Sequence, residues 1–382
     1  MKLLLFTSRF YPHKGGVEKV VDLLANNIKA DKLLITTLDD RKISLKYNKS
    51  YFEVIKEVPN QKYKHFRIWM GVPSSFFGYI AFPYRFVASL LNLIKVTTQY
   101  KPDVVNYHFP DDTLIYFLKI AKLLRFKYIV NIHGNDLQVY SRKKFYKFLF
   151  HILFQGASKV VVNSFYMKEE MLEKYPKYIE KVVIIPNSID TDTIASYSPR
   201  KFIENDYVFF VGRMVHKKGL DVLLKAFAKV QISNLELVIE GTGEELENMK
   251  SLSKKLGIGE KVHFTNGQLS ETEKFAYMKG ALLGVVPSRI EPFGIVALEY
   301  LAAGVPVIVS RTGGLEKIIK DNFTGIFFDN GNENQLSEKI KSLIQDQELR
   351  NRLSKNGLEE IHKYDNQHVL SEYLKLYESV VK

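Results

Sequence analysis

Short apolar runs alternate with longer segments of helical spacing along the whole chain, and the alternation starts twice. The first half predicts strands at Leu3–Thr7, Leu33–Thr37, Val104–Tyr107, Tyr128–Ile132, Lys159–Asn163 and Val182–Ile185. The second half predicts strands at Tyr207–Val211, Leu235–Glu240, Val262–Phe264, Leu283–Pro287, Val305–Ser310 and Gly325–Phe328. Segments with apolar residues three and four positions apart separate these runs as helices. Continuous apolar strands between helices are typical of buried parallel sheets, so the chain is predicted to form two doubly wound α/β domains.

The boundary between the two halves is predicted at Pro186–Pro199, which is rich in turn-forming residues. The first domain would then comprise residues 1–188 and the second residues 200–364. An isolated amphipathic segment, Gln367–Val381, follows the last predicted strand and is expected to be a C-terminal helix.

A segment from Lys62 to Lys95 mixes aromatic residues with cations and does not fit the alternation. Phe76–Ile94 is long enough to cross a membrane, but Pro83 and Arg85 at its centre argue against a span. Two interpretations stay open: an element that lies on a bilayer surface, or a loop and helix packed on the first domain. The residues expected to face anionic lipid in the first case are Lys62, Lys64, Arg67, Trp69, Arg85 and Lys95.

The positive charge of the chain lies entirely in its first half. Residues 1–190 contain 30 Lys and Arg against 16 Asp and Glu, whereas residues 191–382 contain 25 against 26. This asymmetry favours an anionic partner for the first half, such as acidic lipid, a phosphorylated acceptor or nucleic acid. A genome that favours lysine is the alternative explanation.

The chain contains no cysteine, which excludes disulfides, thiolate metal sites and a cysteine nucleophile. Its apolar start, Leu3–Phe6, is too short for the core of a signal peptide. We therefore expect a cytoplasmic protein, peripheral on the inner face of the plasma membrane if the basic half binds lipid.

The strongest chemical signal is the segment Glu291–Glu299, in which two carboxylates frame a Pro-Phe-Gly turn between a strand and a helix. A helix start offers free backbone N–H groups and the positive end of the helix dipole, which suits a phosphate or sugar hydroxyls. Glu299 lies about two turns into the helix and can accept hydrogen bonds from a vicinal diol such as ribose.

A second signal, Gly212-Arg213 followed by Lys218-Gly219, comes directly after the first strand of the second domain. Arg213 and Lys218 lie on one strand-to-helix connection, so both can reach the same pair of phosphates. A solvated basic turn is the alternative.

The first domain carries two further candidates. His133, Gly134, Asn135 and Asp136 follow an apolar strand, at the edge where ligands of open α/β sheets bind; a buried structural histidine is the alternative. Gly15 and Gly16 follow the first strand, where paired glycines let the backbone approach a phosphate closely. The spacing is not that of a dinucleotide-binding fingerprint, since no third glycine follows.

The triplet Asp190-Thr191-Asp192 has the alternating carboxylates that can bind Mg²⁺ or Mn²⁺. It lies in the predicted linker rather than at a strand end, so no metal site is predicted there or elsewhere.

Four of these motifs, which occur along the chain in the order Gly15-Gly16, His133–Asp136, Gly212–Gly219 and Glu291–Glu299, resemble those of the retaining glycosyltransferases of family GT4, which have the GT-B fold. The resemblance covers essentially the whole chain and includes smaller matches at Val162–Ser164, Ile185–Asp190 and Glu240–Gly243. It implies two Rossmann-like domains that face each other across a cleft, with the acceptor on the first. The C-terminal helix, about 365–382, would cross back onto the first domain. Ser188 and Glu244 depart from the family, which usually has glycine and often has proline there.

In the second domain, the resemblance implies that Arg213 and Lys218 hold the donor diphosphate. Glu299 would bind the ribose and Glu291 the transferred sugar. The segment Phe293-Gly294-Ile295 would present backbone groups to the donor.

In the first domain, the resemblance implies that Gly16, preceded by Gly15, meets the diphosphate. His133 would lie beside the donor sugar, and Asp136 would support the loop that holds it.

The sequence therefore predicts a retaining, metal-independent hexosyltransferase with no cofactor. It would move a hexosyl unit from a UDP- or GDP-sugar to a lipid-linked or glycan acceptor in cell-envelope or polysaccharide biosynthesis. The catalytic candidates are His133, Arg213, Lys218 and Glu291. Two alternatives stay open: a lipid- or nucleic-acid-binding protein on the same scaffold, although a nucleic-acid partner is not expected, and a UDP-sugar epimerase of the same architecture.

Overall fold

The computed structural model describes residues 1–8, 10, 16–37, 52–55, 62–71, 76–134, 136–265 and 267–382. Two residues of the predicted motifs, Gly15 and Asn135, lie outside the described residues. The chain divides into two compact units, one formed by Met1–Asn187 together with Val369–Lys382 and the other by Ser188–His368.

Strands and helices alternate along both units. The strands are β1 (Lys2–Thr7), β2 (Asp31–Thr37), β3 (Phe52–Ile55), β4 (Lys64–Ile68), β5 (Val104–His108), β6 (Tyr128–Ile132), β7 (Lys159–Val162), β8 (Val182–Ile184), β9 (Asp206–Val211), β10 (Leu235–Glu240), β11 (Val262–Phe264), β12 (Leu283–Val286), β13 (Val307–Ser310) and β14 (Ile326–Phe328). The helices are α1 (Gly16–Asn27), α2 (Phe76–Tyr100), α3 (Leu114–Leu124), α4 (Lys144–Gly156), α5 (Phe165–Lys174), α6 (Thr191–Ser196), α7 (Leu220–Ala228), α8 (Leu246–Lys255), α9 (Glu271–Gly280), α10 (Ile295–Ala302), α11 (Leu315–Ile318), α12 (Glu333–Gln345), α13 (Gln347–Glu360) and α14 (Asn366–Val381).

The first unit is built on one sheet with the strand order β3-β4-β2-β1-β5-β6-β7-β8. All described pairings in it are parallel except the pairing of β3 with β4. Side chains alternate between the two faces of each strand: Leu4 and Phe6 pack under α2 to α5, whereas Leu3 and Leu5 pack under α1 and α14. This doubly wound architecture is the one that the apolar runs predict.

The last helix, α14, packs on the sheet of the first unit through apolar and polar contacts. Its Tyr377 hydroxyl accepts a hydrogen bond from Asn106 Nδ2 at 2.5 Å, and its Tyr373 hydroxyl donates to Asn131 Oδ1 at 2.8 Å. Asn131 also donates to Asn106 Oδ1. The two buried strand amides therefore find partners on α14, which avoids the free-energy cost of burying them unsatisfied.

The second unit contains a parallel sheet with the order β11-β10-β9-β12-β13-β14. One face packs against α7, α8 and α12, and the other against α9, α10 and α11. The strand order reverses between β9 and β12, which are neighbours at the centre of the sheet. Ligands of doubly wound folds bind at the carboxyl ends of the strands at such a reversal.

One sequence prediction is corrected by the structure, and a second gains detail. The segment 62–95 continues the alternation instead of interrupting it, since it forms β4 and most of α2. Pro83 stays inside α2 as its eighth residue, at an exposed position, and removes one hydrogen bond from the helix backbone. The predicted linker, Pro186–Pro199, contains the short helix α6, which begins because the Asp190 carboxylate accepts the N–H of Thr193.

The interpretation of Trp69 as a lipid-facing residue is also wrong. Its side chain is buried in the core of the first unit, against the Phe82 ring and beneath the guanidinium of Arg85. Burial of the aromatic ring in the core stabilises the fold more than exposure at a surface would.

Within the described residues, one helical stretch, Ile80–Tyr100, is long and apolar enough to cross a membrane by length and composition alone.

Candidate functional site

Three connections of the second unit meet at the carboxyl edge of its sheet. The segment after β9 carries Arg213 and Lys218, the segment after β12 carries Glu291, and the segment after β13 carries Gly314. Two backbone hydrogen bonds join them, from Arg289 N to the Lys217 carbonyl at 2.8 Å and from Gly314 N to the Glu291 carbonyl at 2.8 Å. The motifs that are far apart in sequence therefore share one edge.

A glycine fixes the path of the basic connection after β9. Gly219 has φ of +66°, and a Cβ atom built on it would lie 2.0 Å from the Pro287 carbonyl oxygen. Only glycine fits a left-handed backbone in such close contact with another chain segment. The close packing brings Lys218, immediately before Gly219, to the end of β12.

The Lys218 ammonium forms an ion pair with the Glu291 carboxylate, with Nζ and Oε2 2.6 Å apart. Ser288 Oγ donates a second hydrogen bond to the same oxygen at 3.1 Å. Glu291 is nearly buried and Lys218 is partly buried, so the pair is less screened by solvent than a surface pair. The structure thus brings two of the four catalytic candidates into direct contact.

Arg213, a third candidate, lies on the same connection with an exposed side chain. Among the described residues it makes no ion pair within 4.0 Å. Arg289, on the connection after β12, is in contrast fixed by two hydrogen bonds of 2.7 Å to the Asp221 carboxylate. Arg213 is therefore a cation at this edge that can accept an anionic ligand without losing a protein partner.

Helix α10 starts directly behind the ion pair. Gly294, its N-cap, has φ of +110°, and the Phe293 side chain before it is buried. A Cβ atom on Gly314 would lie 2.4 Å from the Phe293 carbonyl oxygen, so the Pro-Phe-Gly turn is packed tightly against the next connection. The first turn of α10, from Ile295, directs its backbone N–H groups out of the helix start.

Glu299 lies further along α10 and forms a separate ion pair with Lys274 of α9, with Oε1 and Nζ 2.7 Å apart. Both side chains are almost buried. Glu240, at the end of β10, is close enough that the charge of Glu299 adds to burial in raising the pKa of Glu240, while Lys274 opposes the shift. Lys274 was not predicted from the sequence, and Glu240 was singled out there only as part of the match Glu240–Gly243, with no role assigned to it. The position of Glu240 at the end of β10 is the signal that could have assigned it to the site.

The candidates of the first unit lie at the carboxyl edge of its own sheet. His133 follows β6 and stacks on His108 at the end of β5, with 3.2 Å between His108 Nδ1 and His133 Nε2. Burial and the neighbouring ring hold the pKa of His108 well below its usual value, so His108 is neutral at pH 7. Sequence analysis missed His108, which is the last residue of an apolar strand.

Asp136 organises the loop after β6. Its carboxylate accepts backbone hydrogen bonds from His133 at 2.8 Å, from Gly134 at 2.7 Å and from Leu137 at 2.9 Å. Burial raises the pKa of Asp136 to about 7, and these three donors oppose the shift. The backbone on both sides of His133 is therefore fixed by one side chain. Gly16, the first residue of α1, is described, whereas Gly15 is not.

Two family models match the chain. "Glycosyltransferase Family 4" matches residues 14–193, and "Glycosyl transferases group 1" matches residues 196–360. An uncharacterized glycosyltransferase of Methanocaldococcus jannaschii is 30% identical over 297 residues, which cover 72% of this chain and 75% of the relative. The chain belongs to the family 4 glycosyltransferases.

A second uncharacterized glycosyltransferase of the same archaeon is 28% identical over 100% of this chain and 99% of its own length. Among solved structures, HepE of Anabaena in complex with UDP-glucose has a TM-score of 0.74 at 16% identity, over 99% of both chains. The prediction of a GT-B glycosyltransferase with two Rossmann-like domains is confirmed by these matches and by the two parallel sheets.

Proposed function

We propose that this family 4 enzyme is a retaining hexosyltransferase that uses a UDP- or GDP-sugar as donor. The observation that carries the proposal is the Lys218–Glu291 ion pair at the start of α10, beside the exposed Arg213. Cations, a helix start and a fixed carboxylate at one sheet edge suit a diphosphate joined to a sugar. The fold that the chain shares with HepE, which was solved with UDP-glucose, supports the same ligand class.

In this proposal the donor diphosphate lies between Arg213, Lys218 and the first N–H groups of α10. These groups stabilise the negative charge that develops as the nucleoside diphosphate leaves. Glu291 keeps Lys218 in place and accepts hydrogen bonds from hydroxyls of the transferred sugar. Glu299, held by Lys274, binds the ribose diol.

The reaction exchanges one bond at the anomeric carbon for another. The bond from that carbon to the β-phosphate oxygen breaks, and the acceptor oxygen bonds to the same face of the sugar. The acceptor proton passes to the departing phosphate oxygen, so the nucleoside diphosphate is the second product. No metal or cofactor enters this scheme, because protein cations stabilise the leaving group.

We assign the predicted roles of the first unit to the same reaction. His133, with its loop fixed by Asp136, contacts the donor sugar, and Gly16 contacts the diphosphate. The acceptor is a lipid-linked saccharide or a glycan of the cell envelope, made at the cytoplasmic face of the membrane. The basic charge of the first unit supports an anionic surface as partner.

The test is a donor screen with acceptor-dependent product analysis. Purified protein is incubated with UDP- and GDP-hexoses, with and without polyprenyl-phosphate- or diphosphate-linked saccharides, and the anomeric configuration of the product is read by NMR. We expect an α-linked product from an α-linked donor, undiminished by EDTA. Arg213→Ala is expected to lower kcat/KM by about 10²–10³-fold, whereas the matched control Lys250→Ala, an exposed cation of α8, leaves it unchanged.

Other outcomes identify the alternatives. Release of free sugar or an epimerised nucleotide sugar without any acceptor indicates an epimerase. Absence of donor binding together with tight lipid or RNA binding indicates a binding protein on the same scaffold. An inverted product, or activity that EDTA abolishes and Mn²⁺ restores, contradicts the retaining, metal-independent mechanism.

A further inference from the structure

Three neighbouring helices of the first unit, α2, α3 and α4, contain no acidic residue. α3 packs against both α2 and α4, so the three form one layer over the sheet. Their sequences contain six cations and no Asp or Glu. The cations are Arg85, Lys95, Lys119, Lys122, Lys144 and Lys147.

The outer face of α4 is apolar where a surface helix is normally polar. Tyr146, Phe150 and Phe154 pack into the core. Phe145 and Phe148 are more than half exposed and share the opposite face with Ile152, which lies one helical turn further on. Two large aromatic residues on the water-facing side of a helix are unfavourable for a free surface and mark an interaction site.

The outer face of α2 has the same character. Ile80, Tyr84, Val87 and Leu91 are each more than half exposed, and their spacing of four, three and four residues aligns them along one stripe. The stripe is about 16 Å long at the rise of an α-helix. It ends towards Lys95, which is exposed.

Between the two apolar stripes, α3 presents cations. Lys119, Lys122 and Leu123 are its exposed residues. The layer as a whole is therefore two apolar stripes with a basic strip between them and lysines at the start of α4. Aromatic and aliphatic side chains flanked by lysines are the composition of elements that lie in the headgroup region of a bilayer.

The lack of acids is specific to this layer and does not extend over the unit. The next helix, α5, contains Glu169, Glu170 and Glu173. On the other face of the sheet, α1 contains Glu18 and Asp22. A genome bias towards lysine would not exclude acids from three adjacent helices and retain them in the helices around.

We propose that the outer face of α2, α3 and α4 docks on an anionic lipid bilayer, with Phe145, Phe148 and the α2 stripe inserted among the headgroups. Docking would bring the enzyme to a lipid-linked acceptor. Only this link to the acceptor rests on the proposed function, and the docking itself does not. Both stripes begin near the carboxyl edge of the sheet, the edge where His133 and Asp136 lie.

Docking in the membrane plane fits α2 better than spanning does. Its inner face is part of the core, with Ser89, Leu93, Val96 and Thr97 all buried. A span would expose this face to lipid, with two hydroxyls and the adjacent Arg85, and would remove α2 from the sheet. One apolar face of α2 therefore packs in the protein core, and the opposite apolar face contacts the bilayer surface.

The test is flotation with vesicles, using the full chain. We expect the protein to float with vesicles of phosphatidylcholine containing about one third phosphatidylglycerol, to stay behind with pure phosphatidylcholine, and to be released by high salt or alkaline carbonate. Phe145→Ser/Phe148→Ser is expected to weaken binding at least about tenfold. The matched control Phe323→Ser/Leu358→Ser removes two exposed apolar residues of the second unit and should bind like the wild type.

Fold and donor binding are monitored separately, by circular dichroism and by the thermal shift with nucleoside diphosphate, so that loss of docking is distinguished from failure of the proposed function. Equal flotation of both double variants overturns the proposal, as does resistance to carbonate, which indicates a span. A concentration-dependent dimer that Phe145→Ser/Phe148→Ser dissociates, without any vesicle binding, also overturns it and assigns the face to a second copy.

Discussion

The two units of this glycosyltransferase have the same architecture but distribute charge in opposite ways. In the second unit two lysines of the candidate site are each matched by a carboxylate, Lys218 by Glu291 and Lys274 by Glu299, and of the candidate cations that the structure describes only Arg213 is left for a ligand. In the first unit the cations of α2 to α4 have no acid within their own layer. Paired charges hold individual side chains in fixed positions for a small ligand, whereas an unmatched basic surface with exposed aromatics suits a large anionic partner.

The units also differ in continuity. The second unit is one segment, Ser188–His368, whereas the first needs α14 from the end of the chain. The Asn106 and Asn131 amides inside the first sheet have partners on that helix. A doubly wound sheet can thus depend on a helix from a distant part of the sequence for some of its buried hydrogen bonds. The sequences of the strands alone do not indicate this dependence.

The largest expected effect comes from removing α14. Truncation after residue 365 uncovers a face that buries six large side chains, worth on the order of 10 kcal/mol, which is comparable to the whole stability of a domain. Those side chains are Val369, Leu370, Tyr373, Leu376, Tyr377 and Val380. Limited proteolysis should then digest the first unit and leave a fragment near residues 188–365. Tyr377→Phe, the mild control, should cost about 1–3 kcal/mol. An intact first unit after truncation contradicts the dependence on α14.

The buried pair of the second unit gives the next effect. Lys274→Met leaves the Glu299 carboxylate buried without its cation, which should destabilise the protein by about 3–5 kcal/mol in a denaturant titration. Lys274→Met/Glu299→Leu should regain most of that stability but not nucleotide affinity, because the ribose partner is gone. Recovery of nucleotide affinity in the double variant would remove Glu299 from the donor site.

Asp136 gives a pH-dependent effect in the first unit. The folded chain raises the pKa of Asp136 to about 7 and therefore favours its protonated form. The stabilisation that this form provides is complete below pH 4 and is lost as the pH rises to 7. The wild type should therefore lose roughly 3–4 kcal/mol over this range relative to Asp136→Asn, which cannot titrate. Urea unfolding of both proteins at pH 4, 5.5 and 7 measures the difference. A constant difference would mean that the backbone donors keep Asp136 ionised throughout.

The smallest effect is expected at the basic strip of the docking face. Lys119→Ser/Lys122→Ser should change folding stability by less than about 0.5 kcal/mol, since both residues are exposed. Vesicle binding should weaken by about fivefold to tenfold and become less dependent on salt. Unchanged vesicle binding would mean that the apolar stripes bind the bilayer without help from the lysines of α3.

The sequence predicts the architecture well because buried parallel strands have a direct signature. Runs such as Tyr128–Ile132 and Leu235–Glu240 are mostly apolar, and the structure has strands with those bounds. Strand ends then indicate where ligand residues lie, which is why Lys218 and Glu291 are expected at one edge.

The partners of the site residues are not predictable in the same way. Lys274 and His108 contact Glu299 and His133 only because separate strands and helices bring them together. The same limit applies to α2, whose two apolar faces look alike in sequence. Only packing distinguishes the side that contains Leu93 from the side that contains Leu91.

The measurement that tests donor binding by the second unit most directly is a calorimetric titration of UDP and GDP into the full chain, with Lys218→Ala and Lys250→Ala alongside. We predict saturable binding of one nucleoside diphosphate, weakened at least about tenfold by Lys218→Ala, as expected for the loss of a charge-assisted hydrogen bond. Lys250→Ala, with its exposed i,i+3 pair to Glu247, should bind like the wild type. Equal affinity in all three proteins, or no binding of either nucleotide, would contradict the assignment of this sheet edge as the donor site.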